Sequence, residues 1–166
     1  MSQLIRYLNQ IKNKQKIDWL TPSQQLAFSS IKDALQVPST VNLFGSAGAG
    51  KTFLGWNLAH ELSFAYLTHP EKISRFDRFG QEGIIVDNCN SERYDHRELL
   101  KMTRFRQINR AIFITRRMIN DYTHFVELYA TAHDIQAARQ NLIDAKILLA
   151  HRENPPNLWY LVNPSL

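Results

Sequence analysis

Cysteine is nearly absent: Cys89 is the single thiol in 166 residues, which excludes an internal disulfide and any multi-cysteine metal site and fits a reducing cytoplasm. Long apolar runs are missing too. No stretch approaches the roughly 20 residues a membrane-spanning helix needs. The basic N-terminus, with Arg6, Lys12, Lys14 and Lys16, scatters its apolar residues among polar ones instead of leading into a signal-like run. A soluble cytoplasmic chain with no membrane partner is expected. Internal repeats and low-complexity tracts are lacking, so the chain reads as one series of elements. The six histidines, His60, His69, His96, His124, His133 and His151, show no metal-ligand spacing. Acid is absent from Leu99 to Asn120, where Lys101, Arg104, Arg106, Arg110, Arg116 and Arg117 fall, within a net charge of +5. Such a patch suits nucleic-acid phosphates, an acidic protein surface or a bound nucleotide, and equally a solvated basic face.

Hydrophobic residues at 44% and charged residues at 21% are ordinary globular values. The length suits one sizeable core and is short for two domains. We expect an N-terminal extension over residues 1–20 and a single domain over 21–166. Within the extension Leu4, Ile5, Leu8 and Ile11 recur at helical spacing, predicting a short amphipathic helix. Thr21-Pro22-Ser23-Gln24 has a capping residue, a proline suited to the first helical turn and a glutamine placed to close a capping box. A helix from about Pro22 to Leu35 follows. Thr40–Phe44 reads as a buried strand, Lys51–Leu62 as a helix, Ser63–His69 as a second strand and Gly83–Asp87 as a third. The polar segment through Arg110 reads as helix or loop, and Ala111–Thr115 as a fourth strand. Helical stretches are expected around Met118–Thr131 and His133–Leu149, and a fifth strand at Asn157–Val162 after the Pro155-Pro156 break. Alternating strands and helices predict an α/β fold: a three-layer α/β/α sandwich around a five-stranded, mainly parallel sheet, with ligands at the carboxyl ends of its strands.

One segment carries a specific chemistry. Gly45-Ser46-Ala47-Gly48-Ala49-Gly50-Lys51-Thr52 fits G-x-x-x-x-G-K-[ST] between an apolar strand and a helix. Its glycines let the backbone approach an anion closely, and successive N–H groups form an anion-binding concavity. The following helix adds its positive dipole end. Lys51 supplies a charge for the terminal phosphates and Thr52 a hydroxyl for magnesium. Asp87, ending Ile84-Ile85-Val86-Asp87, is the second candidate ligand for the metal, or else a cap after a buried strand. Asn88 follows where many ATP-hydrolysing proteins carry a glutamate; Glu71 and Glu92 are candidate substitutes, or surface carboxylates. Thr115 closes the fourth strand and, if that strand lies between the first and third, sits near the terminal phosphate. Arg116 or Arg117 then reaches a phosphate in its own or a neighbouring subunit, or simply faces solvent.

Taken together, Gly45–Thr52, Ile84–Asp87 and Ile112-Phe113-Ile114-Thr115-Arg116 resemble the additional-strand division of P-loop NTPases, which includes AAA+ ATPases, STAND signalling ATPases and helicase-like motors. The resemblance covers about Thr40 to Arg117. It implies a five-stranded sheet with the fourth strand inserted beside the first, ATP as nucleotide, and magnesium. Leu20-Thr21-Pro22-Ser23-Gln24-Gln25-Leu26-Ala27-Phe28 is similar to the glutamine motif of superfamily 1 helicases, which implies that Gln24 or Gln25 reads the adenine edge; the same residues also make a good helix start. The chain has no room for a second motor domain or a helical lid, so an autonomous motor is not expected.

The leading expectation is a minimal ATPase or ATP-dependent switch, one subunit of a larger assembly or homo-oligomer, with a nucleic-acid link favoured by the acid-free basic stretch. Two alternatives stay open. One is a small-molecule phosphotransferase with Arg104, Arg106 and Arg110 as its lid; the other is a binding module without hydrolysis, which Asn88 motivates.

Overall fold

The structure is a computed structural model, and it describes residues 3–14, 16–77, 80–147 and 155–162. Helix α1 (Gln3–Lys12) leads through a short 3-10 turn to α2 (Pro22–Ala34), then β1 (Ser39–Phe44), α3 (Lys51–Glu61), β2 (Ala65–Leu67), β3 (Ile84–Val86), α4 (His96–Phe105), β4 (Arg110–Ile114), β5 (His124–Glu127) and α5 (Ala132–Asp144). A further 3-10 turn spans Leu158–Leu161. The five strands form one sheet in the order β2-β3-β4-β1-β5, every neighbouring pair parallel.

Both faces of this sheet are covered, as a parallel sheet requires. The two-residue alternation of each strand sorts its side chains: Val41, Leu43, Ile85, Ile112 and Ile114 pack with Leu54 and Leu58 of α3 and Phe28 and Ile31 of α2. Ile84, Val86, Ala111 and Phe113 pack on the opposite face with Leu99 and Leu100 of α4. A third cluster lies apart from both, made by Tyr7 of α1, Leu142 of α5, Ile147, Leu161 and Val162, with Ile11, Trp19 and Leu158 packed against it. Thus the inward side of α1 is Tyr7, Leu8 and Ile11, while Ile5 faces solvent; the Leu4 side chain lies outside the described residues.

Two expectations are corrected. The fifth strand is His124–Glu127, inside a stretch expected to be helical, and Leu158–Leu161 is a 3-10 turn where a strand was expected. β5 is an edge strand in which only Val126 is buried, so it carries too few apolar positions to show a strand period. The Asn157–Val162 run is short and apolar, which is compatible with either class; here Asn157 caps a turn by accepting the Trp159 N–H at 3.0 Å. The other strands stand within two residues of their expected bounds. α5 stops at Asp144, short of the end expected at Leu149, which falls outside the described residues.

Candidate functional site

The turn from β1 into α3 is held open by its glycines. Gly45, Gly48 and Gly50 have φ of +148°, +80° and +89°. At Gly45 a Cβ would stand 2.0 Å from the Leu128 carbonyl oxygen, and at Gly48 it would stand 2.4 Å from the Asn157 side chain. No side chain fits either place without moving its neighbour. Lys51 folds back over this loop, donating to the carbonyls of Gly45 at 2.6 Å and Ser46 at 2.7 Å. Burial pulls its ammonium down to about 8; Asp87 opposes that shift and Arg116 adds to it. An anion in the loop would favour the charged form.

Thr52 and Asp87, predicted as the metal pair, meet directly: the Thr52 hydroxyl donates to Asp87 Oδ2 at 2.9 Å. Tyr66 of β2 donates to the same oxygen, and the Asn88 N–H donates to Oδ1 at 2.7 Å. Burial, followed by the charge and hydrogen bond of Asp87, raises the Tyr66 phenol well above its ordinary value, so it remains a donor. A hydroxyl beside a carboxylate is a hard-oxygen donor set of the kind magnesium takes when substrate phosphates and water complete its shell. Among the described residues no cluster of three His, Cys, Asp or Glu side chains forms an all-protein metal cage.

Thr115 stands just past β4, and β4 lies between β3 and β1. It is buried and lines the same cavity as Lys51, Thr52 and Asp87, as does exposed Arg116. The Thr115 hydroxyl donates to the Arg117 carbonyl at 2.7 Å and accepts from Asn42 Nδ2 at 2.8 Å. Asn42, fully buried in β1, escaped the sequence reading because a lone asparagine inside an apolar strand is also compatible with a bulge or a misplaced strand. The cavity measures about 480 Å³ and runs from the loop into an apolar chamber formed by Leu8, Ile11, Trp19, Trp56, Leu142 and Leu161.

Other expected residues fall elsewhere. Asp87 is the one carboxylate lining the cavity among the described residues. Glu71 accepts from the Tyr94 hydroxyl at 2.5 Å on the surface, and Glu92 is exposed; neither lines the cavity. Asn88 has φ of +59° and donates to the Thr68 carbonyl at 3.0 Å. Gln24 lines the cavity with its amide engaged, accepting from Thr21 N–H at 2.9 Å and donating to the Gly50 carbonyl at 3.2 Å. Gln25 is exposed and bonds the Leu20 carbonyl. The arginine lid is not formed: Arg110 begins β4, at the sheet edge opposite the loop, roughly 15 Å away along a five-residue strand. Arg104 and Arg106 lie at the end of α4, the helix that delivers the chain to that far edge. The basic stretch is also partly neutralised, since Lys101 pairs with Glu98 at 2.6 Å and Arg110 with Glu82 at 3.3 Å.

An all-parallel five-stranded sheet with its fourth strand inserted between the third and the first, and helices on both faces, is the fold of the additional-strand division of P-loop NTPases. Among solved structures, a DNA replication initiation factor is similar over 82% of this chain and 58% of its own, at 15% identity and a TM-score of 0.55. AMPPCP-bound DnaA from Aquifex aeolicus is similar over 85% and 60%, at 13% identity and a TM-score of 0.53. The replication initiator DnaA bound to AMPPCP and single-stranded DNA matches over 81% and 57%, at 13% identity and 0.52. The chain spans about three fifths of the length of these proteins. No protein-family model matches the sequence, and no curated protein matches it.

Proposed function

We propose that this chain binds magnesium-ATP and works as an ATP-dependent switch with slow intrinsic hydrolysis, as one subunit of a larger, nucleic-acid-associated assembly. The observation that carries the reading is one continuous cavity that joins an open glycine loop, with Lys51, Thr52 and Asp87, to an apolar chamber. Triphosphate and purine need these two environments side by side. The N–H groups from Gly45 to Thr52 and the positive end of α3 hold the phosphates. Lys51 neutralises the terminal pair, and Thr52 with Asp87 holds magnesium, which would draw negative charge off the phosphoryl oxygens. Trp19 and Trp56 give the base flat apolar walls. Thr115 and Arg116 face the phosphate end, and a terminal phosphate would compete with the Arg117 carbonyl for the Thr115 hydroxyl.

Hydrolysis is slow in this reading because, among the described residues, no carboxylate besides Asp87 lines the cavity to activate water. The nucleic-acid link rests on exposed Arg116 and Arg117 beside the cavity and on the replication proteins that share the fold. Calorimetric titration with magnesium-ATP tests the core claim: Lys51→Ala should bind at least tenfold more weakly than wild type, and turnover of the wild type should be on the order of 10⁻³ s⁻¹, the range of a P-loop NTPase without an arginine finger. Equal affinity in the two proteins would remove the phosphate-loop assignment.

A further inference from the structure

Tyr66 belongs to none of the motifs and does not line the cavity, yet its hydroxyl is bonded to the carboxylate proposed to hold the metal. Asp87 Oδ2 takes two donors, Thr52 and Tyr66, and Oδ1 takes the Asn88 N–H. An ionised carboxylate offers about four lone-pair sites, so these three donors fix its rotation and leave one direction, on Oδ1, without a partner among the described residues. The Tyr66 ring is in turn held by packing. Trp56 lies 6.3 Å away at an interplanar angle of 59°, and Phe53 stands 6.5 Å from Trp56. Helix α3 carries Gly55 at the crossing, where a Cβ would stand 3.0 Å from Tyr66 Cε2 and 2.9 Å from Ile114 Cδ1. A mid-helix glycine weakens a helix relative to alanine, and here its missing side chain is what lets the ring and its hydroxyl reach Asp87.

We propose that Tyr66 is a positioning residue for the divalent cation: its hydroxyl holds the Asp87 carboxylate turned toward Thr52 and so sets cation affinity without touching the nucleotide. The inference rests on the reading of the cavity as a magnesium-nucleotide site. Outer donors of this kind typically change metal affinity by 10–100-fold when removed. Tyr66→Phe keeps the ring and its packing and removes only the hydroxyl.

The test separates cation from nucleotide. Binding of AMPPCP is measured by calorimetry in excess EDTA, and binding of Mn²⁺ to the AMPPCP complex by the loss of the free-ion EPR signal. Tyr66→Phe should weaken Mn²⁺ about tenfold while leaving affinity for AMPPCP in EDTA within twofold of wild type. Mn²⁺ affinity unchanged in the variant would overturn the proposal, and so would an equal loss with and without the cation, which is the mark of a merely structural role. Failure of the wild type to bind AMPPCP under any condition would instead remove the nucleotide reading itself.

Discussion

Asn42 makes three hydrogen bonds from the middle of β1: Nδ2 donates to Thr115 Oγ1 at 2.8 Å and to the Phe113 carbonyl at 3.3 Å, and Oδ1 accepts the Ile119 N–H at 2.8 Å. With no exposed surface, it joins β1 to the loop that leaves β4, so the cavity-lining Thr115 is tied to the neighbouring strand through one polar link. A buried N–H left without a partner costs about 1–3 kcal/mol. Asn42→Ala should therefore lower stability by about 2 kcal/mol, read as a fall in the urea midpoint at constant slope. A loss under about 0.5 kcal/mol, the level of an indifferent surface change, would show that water or a rearranged loop meets these groups equally well. Such a residue is hard to read from sequence: β-propensity disfavours asparagine in a strand, and only the tertiary neighbours supply its partners.

At the scale of elements, the join between α2 and α5 is electrostatic. Asp134, in the first turn of α5, accepts from the N–H and hydroxyl of Ser23 in the first turn of α2, both at 2.8 Å. It also accepts from the N–H and hydroxyl of Thr131, at 2.7 and 2.6 Å. Burial by itself would raise this carboxyl, but the donors outweigh it and hold the group down at about 2, against an ordinary 3.8. A carboxyl depressed in the folded state stabilises it above the unfolded value, and that contribution disappears as pH falls through the folded one. Asp134→Asn should accordingly cost about 1–2 kcal/mol near neutrality. The difference from wild type should close between about pH 4 and pH 2 in urea unfolding curves. A gap that persisted at pH 2 would assign the effect to packing. The consequence is local to the site, since α5 contributes Asn141 and Leu142 to the cavity wall and Asn141 donates to the Trp19 carbonyl at 3.1 Å.

Viewed whole, the molecule closes its cavity with segments from both ends of the chain. α1, the turn at Trp19, α5 and residues 158–162 form their own apolar cluster, and Ile11, Trp19, Leu142 and Leu161 of it line the cavity. The Leu158 N–H donates to the Gly48 carbonyl at 3.1 Å, which ties that cover to the loop itself. A ligand filling the cavity should tighten all of these segments together. Hydrogen exchange with magnesium-AMPPCP should slow in α1, in α5 and at 158–162 along with residues 45–52; protection confined to 45–52 would mean that the cover acts independently. Trp19, Trp56 and Trp159, the three tryptophans of the chain, all line the cavity, so their emission should shift in the same titration. By itself the sequence determined the glycine-rich turn between β1 and α3 and four of the strands, because turn chemistry and apolar runs are local properties written in adjacent residues. Tertiary structure decided which edge strand completes the sheet, why Asn42 and Tyr66 matter, and that the lid arginines lie far from the loop. Each of these depends on which distant segments the packed sheet brings together, and no local pattern encodes that.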